Sequence, residues 1–410
     1  MDTMDYTRLF RRDFLKFTGA TVGAGVFGAA TAFAKKIQGF DEGGTSEDNK
    51  IWTPISERKI RVGIVGAGVC KFGAVFGFQH HPNVEVVAVS DLIPSRCKLL
   101  SEETNCKKMY PSLEELVKDK TIEAVFIATD APSHARHSIL ALEHGKHVAC
   151  AVPAVYGSLK DAQDLYDTVK RTGLKYMMFE TSMFRANHYA MRKIYEAGGF
   201  GDIVYTEGEY WHYLGGSNRV GSYKNWRDGM PPQWYPTHSD AYYVGVTNGY
   251  FTEVSAIGIV SVRDNFPKNN VYGNPFDTEI SFYKTNTNSI ARMSRSAGTV
   301  GKGYGHETGR IRGTKGSYYD SYEGYEKSKL PDLTRPAIPT TMKGHGYSFH
   351  HGGSHAYLTD EFISAILQDR KPLVDIAMSL NMTVGGIVAH QSALKDGEWL
   401  KIPHFEYWKS

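Results

Sequence analysis

Cysteine is scarce in this 410-residue chain. The four present (Cys70, Cys97, Cys106 and Cys150) form no C-x-x-C pair and all lie in the first half. That excludes a zinc ribbon or dithiol motif, gives no reason to expect a metal, and predicts free thiols. Charge of one sign is also lacking. With 47 basic and 44 acidic residues the formal net charge is +3 and the signs are mixed, so no nucleic acid or anionic membrane is expected as partner. No apolar run is a good membrane span, because the candidate after Lys16 is short and rich in glycine and alanine. A chain of this length predicts two domains, each able to bury a core.

What is present is organised around residues 60–91, IRVGIVGAGVCKFGAVFGFQHHPNVEVVAVSD. An apolar run over 60–65 enters a glycine-rich turn, and a second over 84–89 ends on Ser90-Asp91. This predicts strand, turn, helix and strand in a buried parallel sheet that binds a dinucleotide. Gly66, Ala67, Gly68 and Val69 form the turn that approaches a pyrophosphate, and the following helix offers its N–H groups and dipole. Asp91, 23 residues after Gly68, is placed to accept hydrogen bonds from a ribose and would repel a 2′-phosphate. NAD is therefore expected over NADP, although Arg96 nearby argues the other way. The third glycine of G-x-G-x-x-G is missing. Lys71 stands there and Gly73 and Gly77 follow, so the helix is expected to start differently.

The chain opens with Arg11-Arg12-Asp13-Phe14-Leu15-Lys16, a weakly apolar run and Ala32-Phe33-Ala34. This predicts a twin-arginine export signal over residues 1–34, with the export machinery as partner and a periplasmic or membrane-associated location. Residues 35–59 read as a linker. Helix and strand then alternate over 60–180. A capping box at Ser112 leads to a strand over 124–128, and the loop after it carries Thr129 and His134 at the sheet edge where ligands bind. A strand over 147–150 leads into Ala151-Val152-Pro153, and a strand over 176–180 closes the unit. Beyond residue 181 the period changes to two, with alternating runs over 203–213, 279–284 and 289–296. A helical stretch over 356–367 and a segment over 379–393 complete the chain. The expected fold class is α/β: a Rossmann doubly wound parallel sheet over 60–180, then an α/β domain over 181–410 with a large, open, mostly antiparallel sheet.

These residues resemble the Gfo/Idh/MocA oxidoreductase family over roughly 60–400. The likeness rests on the Gly-x-Gly turn, the loop 129–134 where the family has T-P-N-x-x-H, the Pro153 loop, Gly198–Gly201, and Gly313-Thr314-Lys315-Gly316. It implies a sugar or cyclitol substrate and a homo-oligomer formed through the second sheet. Two departures stand out. Where the family has E-K-P, with a lysine that relays the hydroxyl proton, this chain has Ala151-Val152-Pro153. Where it has D-x-G-x-H, this chain has Trp234-Tyr235-Pro236-Thr237-His238. Y-P-T-H resembles a narrower branch, the NAD-dependent glycosidases of glycoside hydrolase family 109. Met178-Phe179-Glu180, Tyr210-Trp211-His212 and His351-Gly352-Gly353 resemble it too.

The branch implies a tightly held NAD that takes hydride from a ring carbon, creating a ketone that acidifies the next C–H. A base then removes that proton, the glycosidic oxygen leaves, water adds and the hydride returns. With no lysine, His238 is the expected base, since imidazole titrates near 6.5. Tyr210 would serve only with a lowered pKa. Glu180 and His212 would bind sugar or assist, and Tyr235 and Trp211 would contact substrate. Three functions compete: an exported oxidoreductase acting on a sugar or glycoside hydroxyl, a glycosidase with recycled NAD, and a non-catalytic nucleotide-bearing protein.

Overall fold

The computed structural model describes residues 51–68, 71–213, 222–299, 306–345 and 350–407. The expected export signal, linker residues 35–50 and Val69 lie outside them. The described residues fall within one compact unit, residues 37–410.

Among the described residues the first sheet holds β1 (Ile60–Val65), β2 (Val84–Ser90), β3 (Met109–Tyr110), β4 (Ala124–Ile127), β5 (His147–Cys150) and β6 (Tyr176–Met178). Their order is β3-β2-β1-β4-β5-β6, and every pairing is parallel. This is the doubly wound arrangement, and the direction of winding reverses between β1 and β4. A crevice opens there at the carboxyl ends of the strands. The helices between are α1 (Phe72–Val75), α2 (Pro94–Thr104), α3 (Leu113–Leu116), α4 (His134–Glu143) and α5 (Leu159–Thr172). Ser112 caps α3, accepting from Glu115 N at 3.4 Å, but the helix it starts is one turn long.

The glycine-rich turn departs from expectation in an informative way. Lys71 adopts φ +54°, in the left-handed region where a glycine is easiest. The close-packing role of the missing third glycine passes to Gly73, where a Cβ would lie 2.5 Å from the Gly66 carbonyl. The expected long helix is only the single turn α1, so its dipole is small and the backbone N–H groups of the turn must carry phosphate recognition. A chain of rings under α1, Phe76, Phe78, Phe126 and Phe179, packs at centroid separations from 5.0 to 5.7 Å. Each such buried ring stabilises the fold by about 2 kcal/mol.

The second sheet holds β7 (Ile203–Trp211), β8 (Phe251–Val260), β9 (Phe276–Thr285), β10 (Ile290–Ser296), β11 (Glu307–Gly313), β12 (Gly316–Tyr318), β13 (Tyr322–Gly324) and β14 (Leu400–Lys401), in the order β13-β12-β11-β7-β10-β9-β8-β14. Only β7 and β10 pair in parallel. The remaining helices are α6 (Ala186–Glu196), α7 (Thr237–Thr247), α8 (Ser354–Leu367), α9 (Ile376–Asn381) and α10 (Val384–Ala393). The segment over 379–393 falls on α9 and α10, and Asp375 caps α9 through Met378 N. Helices α7 and α10 cover one face of the sheet. On the other, Ile257, Ile259 and Phe282 remain exposed. No helix among the described residues is long and apolar enough to cross a membrane.

The last part of the chain roofs the first. On α8, His355 Nδ1 lies 3.1 Å from the Val75 carbonyl, Thr359 Oγ1 donates to the Phe76 carbonyl at 2.7 Å, and Asp360 meets His81 Nε2 at 3.0 Å.

Candidate active site

The crevice at the ends of β1, β2 and β4 is lined by Gly66, Ala67, Gly68, Asp91, Arg96, Thr129, Arg136 and His137, among others. Gly66 has φ +93°, and a Cβ there would sit 2.5 Å from the Ala128 carbonyl. Gly68 has φ +63°. The backbone therefore comes as close to this crevice as a pyrophosphate requires. Asp91 accepts from Ala67 N at 2.9 Å with one oxygen and from Ile93 N at 2.8 Å with the other. A carboxylate has about four acceptor positions, so two stay available for ribose hydroxyls. These residues fit a dinucleotide, and Asp91 fits NAD. Arg96 also lines the crevice.

Two expected nucleotide contacts are corrected. His134 is fully buried, with Nδ1 2.8 Å from the Pro153 carbonyl and Nε2 3.2 Å from that of Thr129. It straps two loops together and does not line the crevice, and neither does Pro153. The Pro153 carbonyl faces His134, and of its loop Ala151 and Val152 line the neighbouring cavity.

A second cavity adjoins the first, and Phe72 and Arg227 line both. Its walls include Ala151, Val152, Thr181, Tyr210, His212, Tyr235, His238, His351 and His355. Four expected residues, Tyr210, His212, Tyr235 and His238, therefore come together here. The local reason is packing. At Gly208 on β7 a Cβ would lie 2.1 Å from the Ser239 carbonyl, so the start of α7 can rest directly on the strand. That places the His238 ring edge-on to Tyr210, with centroids 4.4 Å apart.

His238 is buried and its Nδ1 lies 2.7 Å from Glu180 Oε1. A carboxylate only accepts, so Nδ1 carries the proton and Nε2 is left for the cavity. Glu180 also accepts from Ser182 N at 2.8 Å. Glu307 stands 3.8 Å from His238 Nδ1, accepts from Ser182 Oγ at 2.9 Å and pairs with Arg185. Burial works to lower the His238 pKa, but the two carboxylates outweigh it and hold the ring above its ordinary 6.5. For Glu180, burial pushes upward, and His238 overcomes it to bring the carboxyl down to about 2. Glu180 is thus a partner of His238 and not a sugar ligand. Glu180, His238 and Glu307 bring one ligand atom each within 4.8 Å of one another. These groups are engaged with each other, Ser182 and Arg185, while Glu180 Oε2 is buried without a partner.

The other expected groups sort by environment. Burial raises the Tyr210 phenol far above 10, although Arg295, 4.5 Å from the ring centroid, opposes the shift. Tyr210 is therefore a wall and not a base. Burial, with Arg295 beside it, lowers His212 to about 4, so this ring is neutral near pH 7. Trp211 is corrected. On β7 alternate side chains face opposite sides, and its indole donates to Ser294 Oγ at 3.2 Å away from the cavity. Sequence reasoning missed Arg227, Phe72 and the role of His351. For His351 the available signal was the His-Gly-Gly that precedes α8. His351 itself adopts φ +50°, followed by Gly352 and Gly353 at +65° and +79°.

Residues 60–180 match the Gfo/Idh/MocA family model, described as an oxidoreductase family with an NAD-binding Rossmann fold. The match covers the parallel-sheet part of the chain, 121 of its 410 residues. Among characterised sequences, the chain is similar to glycosyl hydrolase family 109 protein 1 of Bacteroides fragilis, 35% identical over 164 residues, 38% of this chain and 35% of that protein. A family 109 protein of Porphyromonas gingivalis is 32% identical over 165 residues, 38% and 35% of the two chains. The match thus spans about a third of the length of these relatives. Among solved structures, levoglucosan dehydrogenase with NADH and levoglucosan superposes with a TM-score of 0.69 at 17% identity, covering 85% of this chain and 100% of that one. The scyllo-inositol dehydrogenase of Lactobacillus casei gives 0.65 at 17%, covering 85% and 99%. These two likenesses concern the fold.

Proposed function

We propose that the protein is an NAD-dependent enzyme that oxidises a ring hydroxyl of a sugar or glycoside, with His238 as the base. The observation that carries this reading is the Glu180–His238 pair, with His238 lining a cavity that shares Phe72 and Arg227 with the nucleotide crevice. The nicotinamide, when bound, accepts a hydride from the carbon that bears the hydroxyl. His238 Nε2 takes the hydroxyl proton, and Glu180 holds the ring and stabilises the imidazolium formed. His238 thereby replaces the lysine absent at Val152. Tyr210, Tyr235 and Phe72 offer apolar ring faces for the sugar C–H groups, and Ala151 and Val152 help to exclude water.

A second reading has the same first step but net hydrolysis with recycled nucleotide. It is supported by the names of the sequence relatives and by the second ordered imidazole, His351, in the cavity. One experiment separates the two. Stoichiometric protein is mixed with aryl glycosides while reduced-nicotinamide absorbance and leaving-group release are followed together. Lasting reduction without release means a dehydrogenase, and release without net reduction means the glycosidase. Neither signal with any sugar sinks both and leaves the non-catalytic reading.

Residues 1–34 are proposed as a twin-arginine signal, delivering a folded, nucleotide-loaded protein to the periplasm or its membrane. Replacing Arg11 and Arg12 by Lys should hold it in the cytosol. The exposed Ile257, Ile259 and Phe282 support self-association through the open sheet face. Phe282→Lys should then lower the mass measured by light scattering.

A further inference from the structure

We propose that His351, positioned by His355, is a second base that removes the C–H proton next to the transient ketone. The inference rests on the glycosidase reading. Oxidation needs one proton acceptor. Elimination needs another, because His238 already holds the hydroxyl proton when the C–H proton must leave.

The hydrogen-bond chain fixes which nitrogen of His351 is available. The Val75 carbonyl, 3.1 Å from His355 Nδ1, can only accept, so that nitrogen carries a proton. With the proton on Nδ1, His355 Nε2 is placed to accept, and His351 Nδ1 lies 3.0 Å from it. His351 Nδ1 must donate, which leaves Nε2 as a lone pair in the cavity that His351 lines. The ring stands 6.5 Å from that of His238, at an interplanar angle of 26°. Burial lowers the His351 pKa to about 4, so the ring is neutral near pH 7, and the Glu307 carboxylate attracts a proton once it arrives. A non-glycine residue at φ +50° is strained, and such strain collects at functional sites. His212 lines the same cavity, but its Nδ1 has no partner among the described residues, so nothing there fixes its tautomer.

In the step itself, the C–H proton passes to His351 Nε2. The C–H electron pair becomes the ring C=C bond. The C–O bond to the aglycone breaks with both electrons going to oxygen, which takes a proton from water. No net redox change occurs here, since the hydride was removed before.

The test uses full-length, nucleotide-bearing protein, an aryl glycoside and deuterated water. His351→Gln should reduce its nicotinamide at a rate within about threefold of the native protein's transient reduction and then hold it reduced, yet lose leaving-group release and deuterium uptake at the ring carbon by at least about 100-fold. His355→Phe should give the same split at smaller size, about tenfold. His212→Ala should alter KM and leave the split absent. Nitrogen NMR of the unliganded protein should show His351 as the Nδ1–H tautomer. Release by His351→Gln at the native rate, equal loss of both signals, or the Nε2–H tautomer would each overturn the assignment. A native protein that shows neither transient nicotinamide reduction nor leaving-group release would overturn the proposed function instead.

Discussion

Glu180 holds His238 by a 2.7 Å contact to Nδ1, inside a region with almost no solvent exposure. That contact fixes the tautomer and raises the proton affinity of the ring. A base works when deprotonated, so activity should rise with pH through a value above 6.5. Glu180→Gln removes the charge but keeps the shape. Its kcat should fall roughly 100-fold, and the rising limb of its pH–rate profile should move down toward 6.5. An unmoved limb would show that Glu180 does not tune His238.

The same pair links stability to pH. Glu180, lowered from 4.5 to about 2, contributes stability that is present above 4.5 and lost as pH falls through about 2. His238, raised above 6.5, contributes stability present below 6.5 and lost as pH rises through its folded value. The pair therefore stabilises most between about 4.5 and 6.5. The Tm gap between the native protein and Glu180→Gln should be widest in that window and narrow on either side. A gap that does not vary with pH would remove the linkage.

Gly66→Ala combines a left-handed backbone with a Cβ 2.5 Å from a carbonyl. The turn must shift, at a cost of about 1–3 kcal/mol. We expect a lower Tm and purified protein from which heat releases little or no nucleotide, while the native protein releases about one equivalent. Full nucleotide content in the variant would mean that the crevice is not the binding site.

Trp211 and His212 are neighbours facing opposite ways. His212→Ala should raise KM for the sugar about tenfold or more, whereas Trp211→Ala should change KM and kcat by less than about threefold. Equal effects would mean that the strand is turned differently in the working enzyme.

The parts legible in the sequence are those with local periodicity. β1, β5 and β10 carry uninterrupted or alternating apolar runs and lie where those runs predict. The site was legible where a short motif held the chemistry, as at Tyr235 and His238. It was not legible where chemistry depends on contacts distant in sequence. Nothing around Glu180 says that its partner is 58 residues away, or that His134 is consumed by two carbonyls. Trp211 misled because an aromatic beside two cavity residues looks like a sugar platform until strand alternation is applied. The shortened α1 was hinted at by Lys71, but only the structure shows Gly73 taking over the packing.

The roof that α8 forms over α1 has a consequence for biosynthesis. His355, Thr359 and Asp360 reach Val75, Phe76 and His81 across separations of 280, 283 and 279 residues. Loops of that size close slowly and late. The ribosome must therefore release nearly the whole chain before the first glycine turn has its final support. A chain cut before residue 350 would lack both that support and His351.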